Sequence, residues 1–181
     1  MAENTIVFVP ADGTITIADD SGFDAGNANQ YEVKYEGAGS FSTDLGRDIA
    51  NRASIVIHDR EKIVGRRRGQ EEPRQVTFDV DVRNFADSGD LNLHDVLYGT
   101  NAASAWATIA GYEGHHFHVR FTADATSQGA DAVHGVTAWI CNVVGVATSE
   151  GEPTKASVTI EVLGDMVRFG DGVVSTDTKP A

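Results

Sequence analysis

Val76-Thr77-Phe78-Asp79-Val80-Asp81-Val82-Arg83 alternates apolar and polar side chains without a break. Successive residues of a strand point to opposite faces, so this octet has one face for a core and one for water. The same period of two recurs elsewhere. Tyr31, Val33 and Tyr35 alternate with Glu32, Lys34 and Glu36; Phe117, Val119 and Phe121 with His116, His118 and Arg120; Ala156, Val158, Ile160 and Val162 with Lys155, Ser157, Thr159 and Glu161. Two further runs, Thr5 to Val9 and Val136 to Val146, are apolar on both faces. They suit strands covered on two sides, in a sandwich core or between subunits. Thr14 to Ala18 and Ser54 to His58 complete the expected strands.

Turn residues separate these runs. Ala11-Asp12-Gly13 is a hairpin signal, and the polar stretch Asp19 to Asn29 reads as a loop. Leu93, Val96 and Leu97 fall at helical spacing, with Asn92 placed to cap the helix and Gly99 to end it in a left-handed conformation. Ala102 to Ile109 predicts another turn or two. The expected fold is mainly β: an antiparallel β-sandwich or split barrel with one or two short flanking helices. A single domain is expected over residues 1–172, followed by a flexible tail over 173–181.

The 181 residues suffice for one domain with a hydrophobic core, and the formal net charge of -13 disfavours a nucleic-acid or anionic-membrane binder. The chain opens without a secretory signal and holds no apolar run of membrane-spanning length, so assembly in a cytoplasm is expected. Charge is uneven. Residues 51–83 carry eight bases and six acids, against two and nine in residues 1–50 and four and twelve in residues 84–181. A local inversion of this kind marks a contact surface, because opposite patches on neighbouring copies attract.

Patterns for chemistry are scarce. The chain has no nucleophile elbow, no H-E-x-x-H, no phosphate loop and no dinucleotide fingerprint. The single cysteine, Cys141, lies in an apolar run and reads as a small buried hydrophobe. His116 and His118 share one strand face, and His134 on a neighbouring strand completes a conceivable metal set. The plainer reading makes them outward polar positions or hydrogen-bonding partners at a subunit seam. Asp87-Ser88-Gly89-Asp90-Leu91-Asn92 offers oxygen ligands but lacks the length and terminal Glu of an EF-hand, so a helix-entry turn is expected. Neither a metal nor a cofactor is expected, and no catalytic residue.

Arg66-Arg67-Arg68 sits between Gly65 and Gly69, before Glu71, Glu72, Pro73 and Arg74. This stretch reads as a projecting hairpin loop. Three arginines without interleaved aromatics make a poor nucleic-acid surface in so acidic a chain, so the loop is expected to dock on another copy. The outward residues Asp79, Asp81 and Glu161, with Glu32 and Glu36, are acidic. In a closed ring of subunits such a face, here Asp79, Asp81 and Glu161, would line the lumen.

The order of these motifs resembles that of bacteriophage tail tube, or major tail, proteins. The similarity rests on Asp59 to Gly65, Glu71-Glu72-Pro73 and the strand from Val76; on the helix Leu93 to Gly99 followed by Ala105-Trp106; and on Cys141-Asn142, the turn Glu150 to Pro153 and the closing strand Ala156 to Leu163. It spans roughly Val33 to Gly164. The resemblance implies a tail-tube-like sandwich or split barrel and hexameric rings stacked around a channel. It implies a place in the virion tail and double-stranded DNA in passage only. The implied partners are further copies of the chain, a tape-measure protein, a tail terminator, baseplate or tail-tip proteins, and a sheath if the tail contracts. A β-sandwich binding module, such as a virion decoration or carbohydrate-binding domain, is the alternative. It would favour a monomer with an exposed aromatic patch.

Overall fold

The computed structural model of the chain describes residues 13–24, 26–33, 41–43, 52–59, 62–71, 73–81, 91–124, 133–149 and 155–169. Ten strands run β1 (Gly13–Ala18), β2 (Gln30–Val33), β3 (Phe41–Thr43), β4 (Arg52–Asp59), β5 (Lys62–Glu71), β6 (Arg74–Asp81), β7 (Phe117–Asp124), β8 (Val133–Ser149), β9 (Lys155–Val162) and β10 (Met166–Phe169). Helix α1 (Leu93–Tyr98) and a 3-10 turn (Asn101–Ala105) lie between β6 and β7. The fold is mainly antiparallel β. Eight strands form one sheet, ordered β2-β1-β7-β8-β9-β6-β3, with β10 also on β8; β4 and β5 pair as a separate ribbon. The expected strand Thr5–Val9, the hairpin at Ala11-Asp12 and the tail 173–181 lie outside the described residues.

The period-two pattern sets the register. Val76, Phe78 and Val80 of β6 stand opposite Ile160, Val158 and Ala156 of β9, and all six are at most 3% exposed. Each large apolar side chain buried this way contributes about 1.5–3 kcal/mol. A one-residue slip would turn the whole set to water.

β8 makes two layers from one sheet. Its first half pairs with β7 on one side and β10 on the other; its second half pairs with β9. At the junction Trp139 and Ile140 together oppose His118, because Val119 pairs with Ala138 and Phe117 with Cys141. Such a bulge bends a strand. Ile140 has φ of 57°, a left-handed conformation that costs a β-branched residue roughly 1–2 kcal/mol. Hydrogen bonds hold it there. The Ile140 N–H donates to His118 Nδ1 (3.0 Å), and the Leu163 N–H donates to the Ile140 carbonyl (2.8 Å). Gly164 donates to the Trp139 carbonyl (3.1 Å), and a Cβ on Gly164 would lie 2.6 Å from that oxygen.

Apolar residues from both halves of the sheet meet in one core, including Ile17, Val33, Phe78, Val119 and Ile160. Val96 and Leu97 of α1 and Trp106 close it. The helix starts and stops where its sequence says. Asn92 Oδ1 accepts the Asp95 N–H (2.9 Å), and Gly99 has φ of 64°. A Cβ at Gly99 would also lie 2.5 Å from His115 Nδ1, so glycine is fixed by conformation and by space. Among the described residues no helix is long and apolar enough to cross a membrane.

Candidate functional site

Three features stand out from the core: a polar sheet face, a basic ribbon and a set of buried polar groups. The polar face is the reverse side of β6, β9 and the second half of β8. Thr77 pairs with Thr159, Asp79 with Ser157 and Gln75 with Glu161, while Asn142 and Ala147 of β8 pair with Glu161 and Ser157. Asp79 and Glu161, read from the sequence as lumen-facing, thus stand two strand pairs apart on one face, both half-buried. Asp81 pairs with Lys155 at the end of the same strands. Small hydroxyl and amide side chains dominate this surface, with the carboxylates at its margins.

The ribbon corrects the sequence reading. Arg66, Arg67 and Arg68 are not in a loop but on strand β5, opposite Val56, Ile55 and Ser54 of β4. Glu71 ends β5 opposite Arg52, Arg74 opens β6 opposite Val162, and Glu72 lies outside the described residues. The flanking glycines suggested a turn, but an apolar partner strand recruits the segment into a ladder, and tertiary context overrides propensity. Across β4 and β5 there are five lysines and arginines against two acids.

The histidine reading also changes. His116 and His118 were expected to point to water, yet they are 6% and 0% exposed. The reason is a second core of Ala18, Phe23, Ile109, Trp139 and Ile140 on that side of the sheet. His118 packs edge-on against Trp139, ring centres 4.8 Å apart. His134 stands opposite Ala123, five positions further along β7 than His118, about 16 Å at strand rise. The three positions therefore lie too far apart along the sheet to share one metal ion. Among the described residues no group of three or more His, Cys, Asp or Glu side chains is placed to hold a metal ion. The stretch 87–90 lies outside the described residues. Burial pushes the Cys141 thiol far up, in keeping with an inert core position.

Two buried carboxylates were missed in the sequence. Asp19, 1% exposed, accepts from the Ser21 N–H (3.0 Å), Asn27 Nδ2 (2.9 Å), Asn29 Nδ2 (2.8 Å) and the Ala107 N–H (3.1 Å). Burial alone would raise its pKa, but these four donors outweigh it and hold the carboxyl below its ordinary value. Asp95, also 1% exposed, accepts from Asn92 Nδ2, Thr100 Oγ1 and Asn101 Nδ2 at 2.8–2.9 Å. Asp19 ties the loop after β1 to the segment at Ala107, and Asp95 ties the start of α1 to the 3-10 turn that follows it. Their one sequence signal is the excess of Asn, Ser and Thr in the loop that follows each.

His115 binds the Val96 carbonyl through Nε2 (2.7 Å). Burial lowers its pKa below the ordinary 6.5, only partly countered by that bond, and the neighbouring His116 lowers it further. A depressed imidazole favours the uncharged folded state, so its stabilisation is complete above about pH 6.5 and is lost as pH falls through the lower folded value. The urea midpoint is therefore expected to fall between pH 7 and pH 5. His115→Gln should remove part of that fall.

No family model and no curated protein matches the chain. Its fold does have a solved counterpart, the cryo-EM structure of the anti-feeding prophage cap, the cap that terminates its tube. It superposes with a TM-score of 0.52 at 10% identity, over 93% of this chain and 95% of that one. A weaker likeness, too low to show a shared fold, is to the sheath–tube complex of an extracellular contractile injection system, PVC, in the extended state. It gives a TM-score of 0.48 at 9% identity, over 92% and 93% of the two chains. The chain thus shares the fold of that cap.

Proposed function

We infer that the chain is a structural subunit of a phage-tail tube, closing into hexameric rings that stack around a channel, with no enzymatic activity and no cofactor. The observation that carries this reading is the likeness to a tube-terminating protein along nearly the whole of both chains. The polar face of β6, β9 and β8 supports it. A wall of hydroxyls and amides with a few carboxylates gives a passing phosphate backbone little to grip. The sheet also ends on the short strands β2 and β3, whose edges suit pairing between neighbouring copies. Residues 1–172 would form the single domain. The tape-measure protein, a terminator, baseplate or tail-tip proteins and, in a contractile tail, a sheath would be its partners, and DNA would pass through. A second reading follows from the same likeness: a ring that ends a tube rather than repeating along it.

The ribbon β4–β5 would carry the contact between rings, its arginines set against the carboxylates of an otherwise acidic neighbour. Replacing Arg66, Arg67 and Arg68 together with serine should leave circular dichroism unchanged while shortening or abolishing stacks in sedimentation. High salt should act in the same direction. Stacks of normal length in the triple variant would remove the ribbon from the ring contact.

A further inference from the structure

We propose that His118 is an acid-sensitive latch on the bend of β8. Uncharged, it holds the bulge; protonated, it releases Ile140 and loosens the second core, letting the two halves of the sheet shift against each other.

The geometry defines the protonation state. His118 Nδ1 accepts the Ile140 N–H at 3.0 Å, and a ring nitrogen that accepts carries no proton. A doubly protonated imidazole has no acceptor at all, so charging the ring removes this bond and sets a donor against a donor. The bond matters because of where it lies. At a bulge the ladder offers Ile140 N–H no carbonyl on β7, so the side chain of His118 stands in for the missing main-chain acceptor. Ile140 meanwhile holds φ of 57°, which relaxes once its tether goes. At the same place β8 exchanges β10 for β9 as its neighbour.

His118 is 0% exposed, and the Trp139 ring lies edge-on beside it. On β1 its neighbour in register is Ala18, and the adjoining Asp19 has both oxygens occupied by other donors. In the loop that follows, Asp20 is half-buried and Asp24 exposed. Two residues away along the chain on either side are His116, just before β7, and Arg120, whose guanidinium lies 4.2 Å over the Phe23 ring. On β8 the ionisable residue of the bend is Cys141, whose thiol burial pushes far up. From the segment after β9, Asp165 contributes its carbonyl, to the Trp139 N–H.

The test is amide exchange of Ile140 in the full chain between pH 7.5 and pH 5, corrected for intrinsic rates. The wild type should lose protection at Ile140 at least roughly tenfold, the order expected for one buried hydrogen bond. His118→Gln, whose side-chain oxygen accepts but does not titrate, should show a flat profile. An equal acid-dependent loss in H118Q, or no loss in the wild type, overturns the proposal. Should H118Q fail to fold, the ring nitrogen shifts of wild-type His118 decide. Protonation of Nδ1 in step with the loss at Ile140 supports the latch, and a ring that stays neutral while protection falls overturns it.

Discussion

Asp19→Ala is expected to destabilise the protein by about 3–5 kcal/mol, the largest effect of any single polar substitution described above. The carboxylate is buried and satisfies four donors, two of them main-chain N–H groups and two side-chain amides. Removing it leaves these groups facing one another without an acceptor. The Ala107 N–H comes from 88 positions away, so the loss unfastens the 19–29 loop from the segment that covers the second core. Asp19→Asn should be nearly as severe, because its amide brings a fifth donor where acceptors are needed. Asp24→Asn, on the exposed side of the same loop, should change little. Acid provides an independent check. A carboxyl held below its ordinary 3.8 stabilises fully above that value, and its contribution is lost as pH falls through the lower folded value. Urea denaturation of the wild type and Asp19→Ala should therefore converge only at strongly acidic pH.

Trp139→Ala should cost a comparable ~3–5 kcal/mol, through a cavity rather than unmet hydrogen bonds. The indole is 1% exposed, meets Phe23 edge to face at 5.7 Å and His118 at 4.8 Å, and anchors the second core. Trp139→Phe should be much milder, within about 1–2 kcal/mol. Phenylalanine keeps most of the packing. It also deletes Nε1, which is buried and has no hydrogen-bond partner among the described residues. Chemical denaturation of the two variants separates the explanations. Equal losses would mean the indole N–H is satisfied after all.

The strands with one wet face were legible because their signal is local. In β6 and β9 each residue's side follows from its neighbours, and the structure places Val76 to Val80 against Ala156 to Ile160 as the alternation requires. The helix was legible for the same reason, since Asn92 and Gly99 act within a single turn. Three things were hidden. Alternation shows that a strand has two faces but not whether the second is covered, so His118 looked wet. Its cover comes from a polar loop with a single large apolar residue, Phe23. The Arg66 to Arg68 strand was hidden because its ladder is supplied by β4 rather than by its own propensity. Asp19 was hidden because its donors converge only after folding. Asp79 and Glu161 share a sheet face, and that follows from register alone.

Copies of this chain are expected to close into rings around a channel. Negative-stain electron microscopy of the purified full chain, across protein concentration and salt, tests it most directly. Six-fold rings with an open centre are expected, stacking into tubes at low salt, or remaining single if the protein terminates a tube. Monomers alone at every concentration and salt would contradict it.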